Sequence, residues 1–404
     1  MDKTNTNNIN LLNISLSQIK LPETKETIVS NCKYVKYGDD NHFDYFLQTL
    51  KESAPLHNAI LTSKINQAYA EGLKMETDNL NMKLFNSHCN SDETIDELYY
   101  KVLSDFILFG GFYLEVIWDE SGKLNSIYHL PYSTIRSGRR NSTTHRVEEY
   151  YYCEDWFKVY QIGYSPIKNV DYDNRYGRQI VAYRDYQPFR NYYSLPDYIS
   201  ALNFIAMERE VGNYGLSLLR NQFSASAIIN FRNGIPDEEQ QQQIKNRIHE
   251  QLCSTDNAGK LLVTFSNDAD TAPEINTINS SDSADQYIQL QNTILQNVLS
   301  GHRVVSPLLV GIRTDGNGLG NNANEIETAH QLFYNSVIKP YQDKVIKVLN
   351  SLIMFLPNYD GSEYEPTTIS PVTFTFSENT LYNILTVDEL RDMIGYEPIN
   401  KTNE

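Results

Sequence analysis

Four glycines, Gly311, Gly316, Gly318 and Gly320, crowd the stretch "VGIRTDGNGLGNNANE", and closely spaced glycine amides are what wraps a phosphate group. A phosphate loop also needs Lys followed by Ser or Thr, which complete the charge and the metal contact. This stretch holds no Lys, and neither Gly122-Lys123 nor Gly259-Lys260 is followed by a hydroxyl residue. A plain connector and a moving part remain as readings of the glycine-rich stretch. His249-Glu250 opens like a zinc-protease helix, but Cys253 stands where the second His belongs. The acid-rich segments "GDDNHFD", "DYDNRYG" and "NDADTAPE" do not complete a calcium loop with Gly sixth and Glu twelfth. No G-x-S-x-G elbow occurs, and no Ser or Cys is nominated together with a base. Cys32, Cys89, Cys153 and Cys253 are far apart and form no C-x-x-C, which signals neither a disulfide framework nor a zinc knuckle and fits a reduced compartment. The sequence therefore nominates no catalytic residue, no metal ligand and no cofactor.

The totals narrow the partners. Fifty-one acidic against thirty-four basic residues give a formal charge of -17, which argues against a tight, charge-driven grip on DNA or anionic lipid. Hydrophobic residues make up 40% of the 404, enough to bury a core or two. Arg136, Arg139, Arg140 and Arg146 form a cationic group that could meet a phosphate backbone, but the Ser137-Gly138 turn inside it predicts a solvated hairpin. The N-terminus lacks the apolar core of a signal peptide, and the longest apolar region, 102–118, is interrupted by Asp105 and Glu115, so no membrane span is expected. The 29 tyrosines suit strands, interfaces and sugar-binding surfaces alike. With acids enough to hide a carboxylate pair, they keep a glycan-acting enzyme or sugar-binding protein open as an alternative.

The elements that must position any site follow from periodicity. Residues 1–30 are Asn- and Thr-rich and read as an arm. A helix is predicted from Pro55 to Gly72 with Leu61, Ile65 and Ala68 on one face. A second runs from Asp92 to Phe109 on the stripe Ile95, Leu98, Val102 and Phe106, closed by Gly110-Gly111. Between 112 and 187 the period becomes two, predicting a small antiparallel sheet from "FYLEVIW", "LNSIYHL", "EEYYYCE" and "QIVAYRDY". A long helix is expected from Pro196, in its first turn, to Asn221, with Asp197 at the positive end of its dipole and a span of roughly 35 to 40 Å. Next come a strand "AIINF", a helix from Asp237 to Cys253 with the narrow stripe Ile244, Ile248 and Leu252, and strands "KLLVTF" and "EINTI". A second long helix spans Ser283 to Ser300, and "QYIQLQNTILQNVLSG" within it carries no charge. A final helix from Glu325 to Phe355 should bend at Pro340.

Two long helices bracketing a small α/β insert, with a sheet ahead and a glycine-rich loop behind, resemble the portal, or head-to-tail connector, proteins of tailed bacteriophages. Four stretches carry the likeness in order: "DFILFGGFYLEVIWDESGKLNSIYHLPYSTIRSG", "YYSLPDYISALNFI", "GHRVVSPLLVGI" and "LTVDELRDMIGYEPI". The likeness covers roughly Pro55 to Asn400; among its departures, Ser306 separates Val305 from Pro307. The resemblance implies an α+β, portal-type fold: a mixed α/β wing, a two-helix stem, a small α/β clip, a glycine-rich tunnel loop and a short helical crown. It maps a flexible arm onto 1–30, the wing onto 31–195, stem helices onto 196–222 and 282–301, and the clip onto 223–281. The tunnel loop and kinked wing helix fall in 302–355, and the C-terminal wing or crown segment in 356–404.

What the resemblance implies functionally is a non-enzymatic ring, twelve subunits in the capsid, set at one vertex of the virion and assembled in the host cytoplasm. Double-stranded DNA passes through it transiently and without sequence preference, and it docks the terminase large subunit, the head-tail adaptor and the major capsid protein. Another virion component, such as a baseplate or capsid accessory protein, is a further alternative. The tunnel loop would be Arg313, Asp315, Gly316, Asn317, Gly318, Leu319, Gly320, Asn321 and Asn322. Its glycines permit backbone shapes closed to other residues, and its amides bind without strong charge. The stem contact between subunits would use Gln289, Gln291, Ile294, Gln296 and Val298, and docking at the clip Ile244, Ile248 and Leu252.

Overall fold

A computed structural model describes residues 21–221, 227–231, 239–240, 242–243, 261–265, 283–312, 323–369 and 386. The chain opens with a short antiparallel pair, β1 (Glu26–Ile28) on β2 (Val35–Tyr37), then runs through α1 (Phe43–Ser53), α2 (Pro55–Tyr69), β3 (Leu73–Lys74), α3 (Leu80–Ser87) and α4 (Ile95–Phe109). The central helix is α4. It starts where Thr94 and Glu97 satisfy each other's backbone amides in a capping box, which is why it begins at Ile95 rather than at Asp92. Ile95, Leu98, Val102 and Phe106 are buried as their spacing requires, and so are Tyr99, Leu103, Ile107, Leu108 and Phe109. A helix buried this fully needs partners on several sides. It has them in α2 and in the strand that follows, β4 (Gly111–Trp118).

The sheet continues with β5 (Leu124–Leu130), β6 (Ile135–Ser137), β7 (Glu149–Tyr152), the short α5 (Val159–Ile162), β8 (Ser165–Asn169) and β9 (Gly177–Arg184). The six strands stand in the order β5-β4-β9-β8-β7-β6. The expected antiparallel sheet needs correction at one place: β8 runs parallel to β9, through Lys168↔Gln179 and Asn169↔Ile180 alone. The link between them is too short for a full parallel crossover. The pairing stays brief, and β8 takes most of its hydrogen bonds from β7.

The first long helix also differs from expectation. Pro196 and Asp197 lie outside it; a 3-10 turn at Ile199–Ala201 leads into α6 (Leu202–Asn221), about 30 Å long. Next, β10 (Ala227–Phe231) and β11 (Leu261–Phe265) pair in parallel, as a strand-crossover-strand insert requires. Then α7 (Ser283–Gly301) packs along α6. The last helix is two, α8 (Ala323–Phe333) and α9 (Lys339–Ile353), joined by a π-turn at Tyr334–Ile338, with β12 (Glu365–Pro366) pairing to β3. Pro340 lacks an amide hydrogen and its ring crowds the preceding turn. The wider π-turn just before it accommodates both, so the interruption read from Pro340 takes this form.

At Gly110 the backbone sits at φ 80°, and an added Cβ would stand 2.4 Å from the Leu195 carbonyl oxygen. Gly163 has a similar φ of 76° with nothing within 4 Å. Gly110→Ala should therefore lose about 1–3 kcal/mol to strain plus overlap, and Gly163→Ala only about 1 kcal/mol. Urea-unfolding midpoints of the two variants check this; equal losses would show that the Leu195 approach is not tight.

Candidate functional site

The two long helices meet the body of the protein at α2, and three polar contacts hold them there. The first is a cap supplied from another element. Ala54 precedes α2 and has no side-chain oxygen to offer, so Glu208 of α6 accepts the Leu56 amide at 2.6 Å instead. Burial pushes the Glu208 carboxyl up, opposed by the α2 amides it receives.

The second contact is a pair of imidazoles. His57 Nδ1 lies 2.9 Å from His302 Nε2, and both rings are fully buried. Tyr198 stacks on His302 and meets His57 edge-on, with ring centres 4.8 Å apart in each case. Burial holds His57 down at about 3, helped by Lys64 and Lys51, and His302 well below its ordinary value. The pair is therefore neutral at physiological pH and shares one hydrogen between the facing nitrogens. His57 Nε2 and His302 Nδ1 have no partner.

The third contact is a charge cluster. Lys64, one helical heptad after His57 and hence on the same face of α2, has no exposed surface. Its Nζ lies 3.6 Å from Asp197 Oδ2 and 3.3 Å from the Tyr341 hydroxyl. Arg303 and Tyr341 both donate to that same Asp197 oxygen. Burial pushes Asp197 up, but Lys64, Tyr341 and Arg303 outweigh it and hold the carboxyl below its usual range. Burial brings Lys64 down to about 8 against the pull of Asp197. Asp197 is thus a tie between the entry to α6, the exit from α7 and helix α9, in place of the dipole partner predicted for it.

The segment "GHRVV" reads differently once placed. An added Cβ on Gly301 would meet Ala201 Cβ at 2.3 Å, so the glycine lets α7 close on the turn that leads into α6. His302 and Arg303 then fill the second and third contacts, and Ser63 and Gln67 of α2 donate to the Leu309 carbonyl just beyond. Sequence reasoning missed Lys64, His57 and Glu208. A signal was present: His57 and Lys64 interrupt the apolar stripe of α2, where a charged or titratable residue must find a partner.

Of the stem residues read from sequence, Ile294 and Val298 are buried in this chain's own core, while Gln289, Gln291 and Gln296 are exposed. Three glutamines thus stand free for a neighbour, and the two aliphatic side chains do not. Residues 313–322, which include Arg313, Asp315, Gly316, Asn317, Gly318, Leu319, Gly320, Asn321 and Asn322, and the positions of Ile244, Ile248 and Leu252 lie outside the described residues. The arginine group is corrected at one member. Arg136 is fully buried, 3.0 Å from Asp44 and donating to Asn41, beneath the Trp156 ring. Arg139 donates to the carbonyls of Val29, Ser30 and Cys32. Only Arg136 departs from the expected solvated hairpin: β6 and β7 do form an antiparallel hairpin, extended by the Arg140–Val147 bridge, and Arg139, Arg140 and Arg146 are exposed on it. Among the described residues no group of three or more His, Cys, Asp or Glu could hold a metal, and no helix is long and apolar enough to cross a membrane.

A body of helices and mixed sheet thus carries two long helices that bracket a parallel strand pair in the chain. The chain is similar to a component in the neck of an empty gene transfer agent particle, with 15% identity and a TM-score of 0.56 over 88% of this chain and 94% of that one. It is similarly close to one in the native particle's neck, computed with C12 symmetry, at 15% identity and a TM-score of 0.53 over 88% and 93%. These likenesses are of fold. A relative in Rickettsia bellii (strain RML369-C), described as an uncharacterized protein, is 22% identical over 317 residues, 77% of this chain and 76% of its own length. The family described as phage portal protein matches residues 59–395, and the chain belongs to it. Its role is that of a virion portal protein, in a family that is structural rather than enzymatic.

Two outcomes follow from the α2 contacts. Asp197→Asn leaves Lys64 buried without a counter-charge and should cost about 2–3 kcal/mol, below the roughly 3–5 kcal/mol of a fully buried pair because Arg303 is half exposed. Denaturant unfolding of Asp197→Asn against Asp197→Asn/Lys64→Met checks it, since the second substitution should restore part of the loss. The imidazole pair gives a pH dependence. Its folded values lie below the ordinary 6.5, so the unfolded chain takes up protons first as pH falls. The pair's contribution is complete above about pH 6.5 and is lost progressively toward about pH 3. His57→Leu/His302→Leu should flatten the slope of stability against pH in that window; an unchanged slope would mean that the pair is not buried neutral.

Proposed function

We propose that the chain assembles through its long helices into a ring, about twelve copies in the particle, whose central channel passes double-stranded DNA during packaging and ejection. The observation that carries this reading is membership of the portal family across residues 59–395. The geometry fits it. Both helices of the proposed stem are anchored at one end to α2, and their outer faces keep Met207, Tyr214, Leu216 and Ile288 exposed beside Gln289, Gln291 and Gln296. Exposed apolar side chains on a two-helix arm are what a neighbouring copy would cover.

In this reading residues 31–195 form the wing, with 196–201 acting as the socket of the stem. Residues 202–222 and 282–301 form the stem, 223–281 the clip, and 302–355 the tunnel loop and kinked helix. Residues 356–404 complete the C-terminal wing or crown. The acidic balance suits a channel that must let DNA slide. A wall that neutralised many phosphates would gain affinity and stall translocation. The terminase large subunit and then the head-tail adaptor would take turns on the clip, and the major capsid protein would hold the wing at the vertex.

Imaging of the purified chain by negative stain, with native mass measurement, should give a ring with a central hole and a mass of about twelve chains; a uniform monomer would end this reading. Replacing residues 313–322 by a short rigid link should leave the ring intact and lower the amount of DNA packaged or retained. Normal packaging by that variant would remove the loop's proposed role.

A further inference from the structure

Two places on the body gather exposed apolar side chains that include the three most exposed, Phe189, Tyr160 and Tyr186. On the first, Phe157, Tyr160 and Ile162 crown the turn and short helix between β7 and β8, with Tyr160 91% exposed and Tyr45 packed edge-on against Phe157. On the second, the loop after β9 presents Tyr186 at 86% and Phe189 at 100% exposure. β8 and β9 run parallel. A helix that feeds the start of β8 and a loop that leaves the end of β9 therefore lie at opposite ends of the sheet.

Neither patch is a loose surface. Asp155 caps the turn that carries Phe157 by accepting its amide at 2.9 Å, and the adjoining Trp156 is buried under Arg136. The Phe189 backbone sits at φ 63°, an unfavourable value for a bulky residue, and is over-determined on both sides. Gln187 exchanges two hydrogen bonds with Leu195, Arg190 donates to Thr24, and Glu26 accepts the Tyr192 and Tyr193 amides at 2.8 Å. Strain maintained to hold a phenyl ring wholly in water needs a compensating contact.

We propose that the Tyr186/Phe189 loop of one subunit docks on the Tyr45/Phe157/Tyr160 patch of the next, as a head-to-tail aromatic contact of the wing; this rests on the ring reading above. The two surfaces are matched in size. Aromatic side chains bury about 150–250 Å² each, so three partly exposed rings and two nearly free ones each offer roughly 400 Å². The sum, on the order of 800 Å², is below the roughly 1,200 Å² of a stable isolated pair. It is ample for a contact repeated around a ring whose stems also touch. Two different patches on one chain make a heterologous interface, the kind that closes into rings. At -17 per chain, neighbours repel, and an uncharged aromatic contact avoids worsening that repulsion.

The test uses the full chain. In a chain carrying Cys32→Ser and Cys253→Ser, Phe189→Cys/Tyr160→Cys treated with a short bismaleimide under assembly conditions should give a denaturing-gel ladder from dimers upward, while each single variant and the same chain without the new cysteines give none. Phe189→Glu and Tyr160→Glu should each raise the concentration needed for ring formation at least tenfold without moving the thermal midpoint. Leu80→Glu, at a 77% exposed position of α3, should leave assembly unchanged. Rings of the double-cysteine variant that show no ladder, or Glu variants that assemble like wild type, overturn the contact and leave the ring reading standing. A wild type that forms no ring overturns both.

Discussion

Lys64 holds its charge without any contact with water, and a buried ammonium is tolerable only while its counter-charge stays in place. That constraint fixes more than one helix. Asp197 belongs to the segment that enters α6, Arg303 to the segment that leaves α7, and Tyr341 to α9. Keeping Lys64 paired therefore keeps both long helices and the kinked helix registered on α2. The neutral imidazole pair adjoining it extends the same logic, since a proton there would add another uncompensated charge beside Lys64 and Arg303. The two long helices thus take their position from α2.

Much of this was legible from residue order wherever a local rule was strong. The four-residue stripe of α4 and the left-handed stop at Gly110 are local statements, and they hold. The charge-free run of α7 is a helix, with Ile294 and Val298 turned to the core. What escaped was set by partners distant in sequence. Lys64 meets a tyrosine 277 residues away, and no periodicity points to that. Arg136 looked like a solvated cation because arginines in turns usually are; its burial depends on Asp44 and Asn41 from the opposite end of the wing sequence. The start of α6 moved for the same reason, because Asp197 is claimed by the charge cluster and cannot also serve as the helix's first turn. The parallel strand β8 was hidden because a short link ordinarily implies an antiparallel return.

The portal assignment came from the order of four moderately specific stretches, not from a catalytic signature. One of them, "GHRVVSPLLVGI", carries its own physical account. Gly301 permits the close approach to Ala201, His302 and Arg303 complete two of the three α2 contacts, and the Leu309 carbonyl is held by Ser63 and Gln67. The basic pair in that stretch therefore serves to lock the stem base. A reading that assigned it to DNA would have mistaken a structural cation for a functional one.

Charge is handled in two ways by this chain, and together they suit a ring around DNA. Inside, the two buried cations among the described residues each have a named anion: Lys64 has Asp197, which half-exposed Arg303 also reaches, and Arg136 has Asp44. Outside, the surplus is acidic, so neighbouring copies repel one another and would repel a duplex in the proposed channel. Salt weakens that repulsion over about 8 to 10 Å, which softens the approach of subunits without supplying adhesion. Adhesion has to come from surfaces that carry no charge. Those the chain leaves open are the stem glutamines, the exposed aliphatic and aromatic residues beside them, and the two aromatic patches of the wing. In the proposed ring, assembly and slippage would be governed by different groups: neutral ones would hold the subunits together, and acidic ones would keep the duplex from sticking.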